Sequence, residues 1–236
     1  MKTLTSYELM NSIALQIEQP RKAQSSTPAL PVTAKEQSRL TPNAVLEDLL
    51  KGNKRFVAGR LSDPNIADRI KAATHGQFPK AVILSCLDSR VPVEQIFDQG
   101  IGDVFVGRVA GNIASDDQLG SMEFATKVAG AKLVMVLGHE GCGAVKGACD
   151  GVKMGNLTGL LERIQPAVNA VGGFAGKERS SENNDFVEQV VAQNVRQAII
   201  DIRRQSTVLA ELEQKGQIKI VGALYSLQDG SVELLE

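Results

Sequence analysis

From residue 80 onward, short apolar runs alternate with segments of helical periodicity, and this alternation restricts the fold more than any other feature. The apolar runs are KAVILS (80–85), DVFVGRV (103–109), KLVMVLG (132–138) and QIKIVGALYSL (217–227). Helical patterns lie between them, at residues 92–98, 115–130 and 183–205. The second of these should be capped by Ser115, with Gln118 three residues later as in a capping box. Such alternation predicts an α/β fold with a mainly parallel central sheet flanked by helices. The run SVELLE (231–236) follows the turn QDG and predicts an antiparallel C-terminal edge strand.

The first 40 residues have a different character from the rest of the chain. A helix-like stretch, SYELMNSIALQIE (6–18), precedes a proline-rich run, and no glycine occurs before Gly52. We expect residues 1–40 to form a helical and extended arm, either a frayed terminus or a segment laid across a partner subunit. Residues 41–236 are predicted to form the globular domain. Its first helix should be capped by Thr41, with Pro42 in the first turn.

Composition excludes several classes of function. The net charge is −1, aromatic residues make up 4% of the chain and tryptophan is absent, so nucleic acid binding is not expected. No apolar run approaches the roughly 18 residues that span a bilayer, so no membrane association is expected. The N-terminus lacks the pattern of a signal peptide, which favours a cytoplasmic location, or a periplasmic one if a leader lies outside this numbering. Three cysteines do not make a disulfide framework.

The cysteines and one histidine predict a metal site instead. Cys86 directly follows the first core strand, His139 follows the third, and Cys142 stands where the next helix should begin. Ligands of open parallel sheets bind beyond the carboxyl ends of the strands, so we expect these three side chains to meet there. Two thiolates and one imidazole suit tetrahedral zinc with one position left open, as in catalytic sites. Gly138 and Gly141, with Gly143, let the backbone turn closely around the ligands.

An acidic and a basic residue, Asp88 and Arg90, follow Cys86 at alternate positions. Arg90 can hold Asp88 in a bidentate ion pair and fix its direction. The carboxylate can then orient a water at the open metal position, or turn inward and become the fourth zinc ligand, which would close the site. Cys149 is predicted to be a core residue, and His75 an exposed residue at a helix end.

The motifs SCLDSRV (85–91) and GHEGCGAV (138–145) resemble the C-x-D-x-R and H-x-x-C motifs of the beta-class carbonic anhydrases. The resemblance runs from about Thr41 to the C-terminus and includes VFVGRVAGN, AQNVRQAI and GALYSLQDG. It implies reversible hydration of CO2 to bicarbonate and a proton by a zinc-bound hydroxide, with one Zn²⁺ per chain. It also implies a catalytic domain at 41–236 and a homo-oligomer, a dimer or dimer of dimers, with exchanged N-terminal arms. The implied residues are zinc ligands Cys86, His139 and Cys142, a catalytic dyad of Asp88 and Arg90, and substrate-binding Gln77, Phe105, Ala110, Phe124 and Gly143.

Three positions in the resemblance refine these expectations. Phe124 stands where many members have tyrosine, so a role for that hydroxyl is absent. Some bacterial members have an inhibitory bicarbonate pocket with a tryptophan three residues before the first zinc cysteine. That position is Ile83 here, although Arg108 retains the arginine position, so we do not expect this pocket.

Two thiolate ligands should raise the pKa of zinc-bound water, so activity should rise toward alkaline pH.

Other functions fit parts of the pattern. The same fold and metal could act on carbonyl sulfide or carbon disulfide. A zinc-stabilised binding protein without catalysis would keep Asp88 permanently on the metal. A redox protein using Cys142 and Cys149 is a further alternative, but the six residues between them do not resemble a C-x-x-C motif.

Overall fold

The computed structural model describes residues 30–62 and 65–235 of the chain. Within these ranges the strands form one five-stranded sheet. The strands are β1 (Ala81–Ser85), β2 (Val104–Arg108), β3 (Leu133–His139), β4 (Lys219–Tyr225) and β5 (Val232–Leu235).

The α-helices in the described part of the chain range from one turn to six. They are α1 (Ala34–Gln37), α2 (Pro42–Val57), α3 (Ile66–Ala73), α4 (Val93–Ile96), α5 (Asp116–Glu123), α6 (Gly143–Cys149), α7 (Gly155–Glu162), α8 (Gln165–Ala170), α9 (Asn184–Gln205) and α10 (Thr207–Gln214). The predicted cap of α2 is confirmed, since the Thr41 side chain accepts a hydrogen bond from the Ala44 N–H. No helix among the described residues is long and apolar enough to cross a membrane.

The strand order is β2-β1-β3-β4-β5, with β5 antiparallel to β4 and the other pairs parallel. The predicted fold class is therefore confirmed, and the strand ends differ from the prediction by one or two residues. One of these differences touches the site: His139 is the last residue of β3 rather than the residue after it. Because β1 and β3 are neighbours, their carboxyl ends bring Cys86 and His139 to the same edge of the sheet.

The sheet is covered on both faces, so successive residues of β1 enter different cores. Ala81 and Ile83 pack with the apolar side of α2, whereas Val82 and Leu84 pack with α9 and α10. A third apolar cluster surrounds the carboxyl end of the sheet, and it contains both Cys86 and Cys142. The site is thus built on buried, packed elements.

The segment predicted as one helix over 115–130 is interrupted. The α-helical part, α5, ends at Glu123, and a wider π-helical turn follows at Phe124–Val128. Within this turn the Thr126 hydroxyl donates to the Met122 carbonyl at 2.8 Å. The predicted capping role of Ser115 is wrong, because its side chain makes no cap hydrogen bond. The Gln118 side chain lies against Gly107 of β2, so it does not fold back onto Ser115 as a capping box requires.

The helix-like stretch at 6–18 lies outside the described residues. The described chain begins just before α1, and this helix is tied to the sheet by Gln37, which is buried. Its amide donates to the carbonyls of Pro79 and Ala129, each at 2.8 Å. These contacts fix the chain at the amino ends of the strands, the opposite edge from Cys86.

Helix α3 has the reverse of the usual amphipathic arrangement. Its buried residue is Arg69, which is 0% exposed and forms an ion pair with Asp103 at 2.6 Å. Ile66 and Ile70 point outward and are 61% and 55% exposed. The arginine therefore anchors the helix, and its isoleucines are left on the surface.

Candidate metal centre and active site

Three donor side chains converge at the carboxyl edge of the sheet. Cys86 follows β1, His139 ends β3, and Cys142 is the residue at the N-cap of α6. Their ligand atoms lie within 4.8 Å of one another, and all three residues are buried. The two sulfur atoms are 3.8 Å apart, which is too far for a disulfide bond. The sequence prediction that these three residues meet is confirmed.

The His139 ring is already oriented to bind a metal. Its Nδ1 lies 2.8 Å from the Glu140 carbonyl oxygen, which can only accept, so Nδ1 carries the proton. This leaves Nε2 as a lone-pair donor directed at the two cysteines. Nε2 is buried without a hydrogen-bond partner, and such an atom is costly unless a ligand engages it. A backbone carbonyl that fixes the tautomer is a common outer contact of metal-binding histidines.

The two buried thiols favour a cation between them. Donation from the Cys142 thiol to the Cys86 sulfur lowers the pKa of Cys86. That same hydrogen bond, together with burial and the neighbouring thiolate, raises the pKa of Cys142. The two shifts are opposite in direction because one hydrogen bond joins the two sulfurs. A divalent cation would stabilise both thiolates, so the donor set of two sulfurs and one imidazole nitrogen fits zinc.

The Asp88 carboxylate is turned toward Arg90. Arg90 donates to Asp88 Oδ1 from both its backbone N–H and its Nε, each at 2.9 Å, and to Oδ2 from Nη2 at 2.7 Å. This pairing holds the pKa of Asp88 at about 2. Asp88 is not one of the three clustered donors, although its Oδ2 lies 3.9 Å from His139 Nε2. The carboxylate thus borders the metal position while Arg90 holds it aside.

Arg108 fixes the loop that carries these residues, a role that the sequence did not reveal. Arg108 is the last residue of β2. Its Nε donates to the Cys86 carbonyl at 3.1 Å, and its Nη2 donates to the Asp88 carbonyl. The sequence identified Arg108 only as the retained arginine of an inhibitory pocket. Its guanidinium instead binds two backbone oxygens of the loop.

The segment after β2 also contacts a donor sulfur. The Gly111 N–H donates to Cys86 Sγ at 3.4 Å. Gly111 has a φ of +71°, and a Cβ there would come within 2.6 Å of the Ile164 side chain. Glycine meets both conditions without strain. The sequence VAGN contained this residue, but no pattern in it indicated a contact with a cysteine 25 positions away.

The predicted substrate-binding residues fall into two groups. Ala110 and Gly143 are adjacent in sequence to Gly111 and Cys142, so they lie beside the sulfur donors. Phe105 instead pairs in register with Val82 of β1. That level is four residues before Cys86, about 13 Å along the strand.

The second group extends beyond Phe105. The ring of Phe124 contacts Phe105 edge to face, with centroids 6.3 Å apart. Gln77 is exposed and precedes β1, at the opposite end of that strand from Cys86. One chain therefore does not bring Gln77, Phe105 and Phe124 to its own metal position.

The remaining cysteine and histidine lie apart from the site. Cys149 ends α6 and is half-buried against the third apolar cluster, where burial raises its pKa to about 11. It forms no disulfide, so the redox alternative finds no pair of joined cysteines. His75 is exposed just beyond α3, as predicted.

Comparisons with known proteins agree with this geometry. The sequence profile of the family described as carbonic anhydrase matches residues 81–232. A carbonic anhydrase of Mycolicibacterium smegmatis is 38% identical over 199 residues, 82% of this chain and 93% of that protein. A beta-carbonic anhydrase of Aspergillus fumigatus superposes with a TM-score of 0.62 at 24% identity, covering 71% of this chain and 80% of that one.

A second solved structure shares the fold. A chain from the crystal structures of two tetrameric beta-carbonic anhydrases of Sordaria macrospora gives a TM-score of 0.59 at 24% identity. The match covers 68% of this chain and 82% of that chain. The profile spans well over half of the sequence, and the alignment with the Mycolicibacterium smegmatis enzyme covers 82% of it. The chain belongs to the beta-class carbonic anhydrase family.

Proposed function

We propose that this protein is a zinc-dependent carbonic anhydrase that catalyses the reversible hydration of CO2 to bicarbonate and a proton. The observation that carries the proposal is the buried cluster of Cys86, His139 and Cys142 beside the Asp88–Arg90 pair. Family membership supports the same reaction. We assign the chemistry to a catalytic domain at residues 41–236, with residues 1–40 as an arm.

Zinc held by these three donors would supply a Lewis acid that lowers the pKa of a water molecule toward neutrality. The chain's own residues supply the rest of the site. Asp88, kept ionised by Arg90, can accept a hydrogen bond from the attacking oxygen and orient it. Ala110 and Gly143 line the site with small residues that have no polar side chain, which suits an uncharged and apolar substrate. The negative charge of Asp88 also disfavours retention of bicarbonate.

Stopped-flow CO2 hydration with a pH indicator tests this proposal between about pH 6.5 and 9. Rapid turnover that disappears with a chelator and returns with added zinc is the expected result. A protein with a full complement of zinc and no turnover at any pH would contradict it. Assays with carbonyl sulfide and carbon disulfide on the same preparation distinguish the alternative substrates.

We further propose that a second copy of the chain completes the substrate pocket. The metal position of one chain is remote from its own Gln77, Phe105 and Phe124, which lie toward the amino ends of the strands. Any contact between these residues and the substrate must therefore occur in another subunit. Strand β2 is the edge of the described sheet and offers an unpaired strand edge. Two large apolar side chains near this edge are exposed, Phe124 at 51% and Leu87 at 66%.

A cleft at this edge supports the assembly. Its volume is about 740 Å³, and its lining includes Phe105, Phe124, Leu84 and Arg108 but none of the three described metal donors. Tetramers are reported for the enzymes of Sordaria macrospora. The outward isoleucines of α3 offer a further apolar surface for an exchanged N-terminal arm. We propose a dimer or dimer of dimers on these grounds.

Subunit complementation tests the shared pocket. Gln77→Ala keeps its own zinc donors, and Cys142→Ser keeps its own Gln77. If Gln77 acts across the interface, a co-expressed mixture contains heterodimers with one intact site, and its activity should far exceed that of either variant. Activity no greater than the average of the two variants would place Gln77 outside a shared pocket. That result would leave the hydration activity of the wild type untouched.

A further inference from the structure

Asn194 lies on α9, far in sequence from the metal donors, yet its side chain reaches the segment that contacts Cys86. Asn194 is 3% exposed, and its Nδ2 donates to the Gly111 carbonyl at 2.8 Å. The N–H of the same glycine donates to Cys86 Sγ at 3.4 Å. A continuous chain of two hydrogen bonds therefore links a buried helix residue to a donor sulfur.

The segment between these two bonds needs an external restraint. Gly111 has φ +71° and ψ 17°, and Asn112 follows it with φ 43°. Left-handed backbone is unfavourable for a residue with a side chain, and glycine is free to leave it for many other conformations. Two such residues in succession persist only if their surroundings hold them. Ile164 closes one side of Gly111, and the Asn194 amide holds its carbonyl.

The direction of the Gly111 N–H matters for the chemistry of the sulfur. A hydrogen bond donated to a thiolate withdraws charge from it and fixes the position of its lone pairs. Outer contacts of this kind tune metal ligands, and their loss commonly weakens metal binding or activity. If the Ala110–Gly111 peptide rotated, its N–H would turn away and Cys86 Sγ would lose this donor.

We propose that Asn194 is a positioning residue of the metal centre, which holds Gly111 so that its N–H donates to the Cys86 thiolate. The inference rests on the proposed function only in that Cys86 binds the metal. It places a determinant of the site on α9, in the stretch AQNVRQAI, which contributes no metal donor.

A second buried asparagine provides a matched control. Asn53 is 5% exposed, and its Nδ2 donates to the carbonyls of Gly230 at 2.9 Å and Ile96 at 3.2 Å. It thus makes the same kind of bond to backbone oxygens, and its Oδ1 accepts from the Val232 N–H at 2.9 Å, but none of these partners belongs to the metal centre. Asn53→Leu and Asn194→Leu both replace a buried amide with an apolar side chain of similar shape.

Cobalt substitution gives a readout that does not depend on catalysis. Thiolate-bound Co²⁺ has a sulfur-to-metal charge-transfer band, and an electron-richer sulfur moves that band to longer wavelength. Asn194→Leu should shift the band to longer wavelength and weaken zinc binding in chelator competition by about 10-fold or more. Asn53→Leu should lower thermal stability but retain the wild-type band and zinc affinity.

The outcomes separate this inference from the proposed function. A wild-type protein without a thiolate band would overturn the metal assignment and this inference together. A normal wild-type band that is unchanged in Asn194→Leu, with unchanged zinc affinity, would overturn the role of Asn194 alone. If the variant does not fold, amide hydrogen exchange of Gly111 in the zinc-loaded wild type decides the matter. Strong protection supports the contact, and exchange as fast as that of an unstructured amide refutes it.

Discussion

Arg90 donates hydrogen bonds to both carboxylate oxygens of Asp88, with Nε 2.9 Å from Oδ1 and Nη2 2.7 Å from Oδ2. The pair stands at the rim of the metal position, since Asp88 is largely shielded whereas the Arg90 side chain is 56% exposed. The arginine therefore acts from the solvent side, and it prevents the carboxylate from turning the 3.9 Å toward His139 Nε2. The two residues should behave as one unit in catalysis.

Asp88→Asn and Arg90→Gln should cause similar losses of turnover. Each is expected to lower kcat by about 100-fold, the range in which positioned proton acceptors contribute. Both variants should retain zinc, because neither residue is among the three clustered donors. The double variant should lose little more than either single one, since residues that act together are not additive. Stopped-flow kinetics with zinc analysis provides the measurement, and a fully additive double variant would separate the two roles.

Arg108 should control the same loop from the other side. Arg108→Ala removes the donors to the carbonyls of Cys86 and Asp88, so the loop loses its fixed position. Small displacements of reacting groups are costly, and we expect kcat to fall roughly 10- to 100-fold with zinc retained. Arg60→Ala, which changes an exposed arginine far from the site in sequence, is the control. Equal activity of the two variants in CO2 hydration would show that the loop with Cys86 and Asp88 keeps its position without Arg108.

The sequence was sufficient to predict the sheet, the order of its core strands in the chain and the three donors. Strand–helix alternation is a local pattern, and the carboxyl ends of adjacent parallel strands are close by geometry. The contacts of Arg108, Gly111 and Asn194 could not be predicted in this way. They join side chains to backbone atoms on other elements, and a carbonyl leaves no mark on the amino-acid sequence.

Two local failures have the same origin. Ser115 occupies the N-cap position but its side chain makes no cap hydrogen bond, and the Gln118 side chain packs against β2 instead of folding back. Helix α3 was not predicted from the sequence, and its outward isoleucines and inward Arg69 reverse the usual amphipathic arrangement. Periodicity identifies two faces of a helix, and the tertiary partner, here Asp103, decides which one is buried.

Metal content should distinguish the cysteines. Cys142→Ser removes one of two sulfur donors and should reduce bound zinc to less than about a tenth of one equivalent at micromolar protein, since hydroxyl is a poor zinc ligand. Cys149→Ser is a matched control, seven residues away on the same helix and outside the donor cluster. It should retain full zinc. Zinc analysis after gel filtration makes the comparison, and normal zinc in Cys142→Ser would remove that residue from the ligand set.

The reactivity of Cys149 should rise only at strongly alkaline pH. Burial, with a smaller contribution from the charge of Asp150, raises its pKa to about 11. The reactive thiolate is then about one part in 10,000 at pH 7, and it increases tenfold with each pH unit up to that value. Peptide mapping after iodoacetamide treatment of the zinc-loaded protein at several pH values measures the rate. A plateau reached below pH 9 would mean that the thiol is not buried as described.

The Arg69–Asp103 ion pair should be a strong determinant of stability. Both side chains are almost fully buried, and Asp103 also accepts from the Gly100 N–H at 2.8 Å. Arg69→Met leaves a buried carboxylate without its cation, which should lower the free energy of unfolding by about 3 to 5 kcal/mol. Asp103→Leu in the same chain removes that charge and should restore part of the loss, though the Gly100 N–H then lacks its acceptor. Urea unfolding of the two variants tests this, and a double variant less stable than Arg69→Met would show that the uncompensated charge is not the cause.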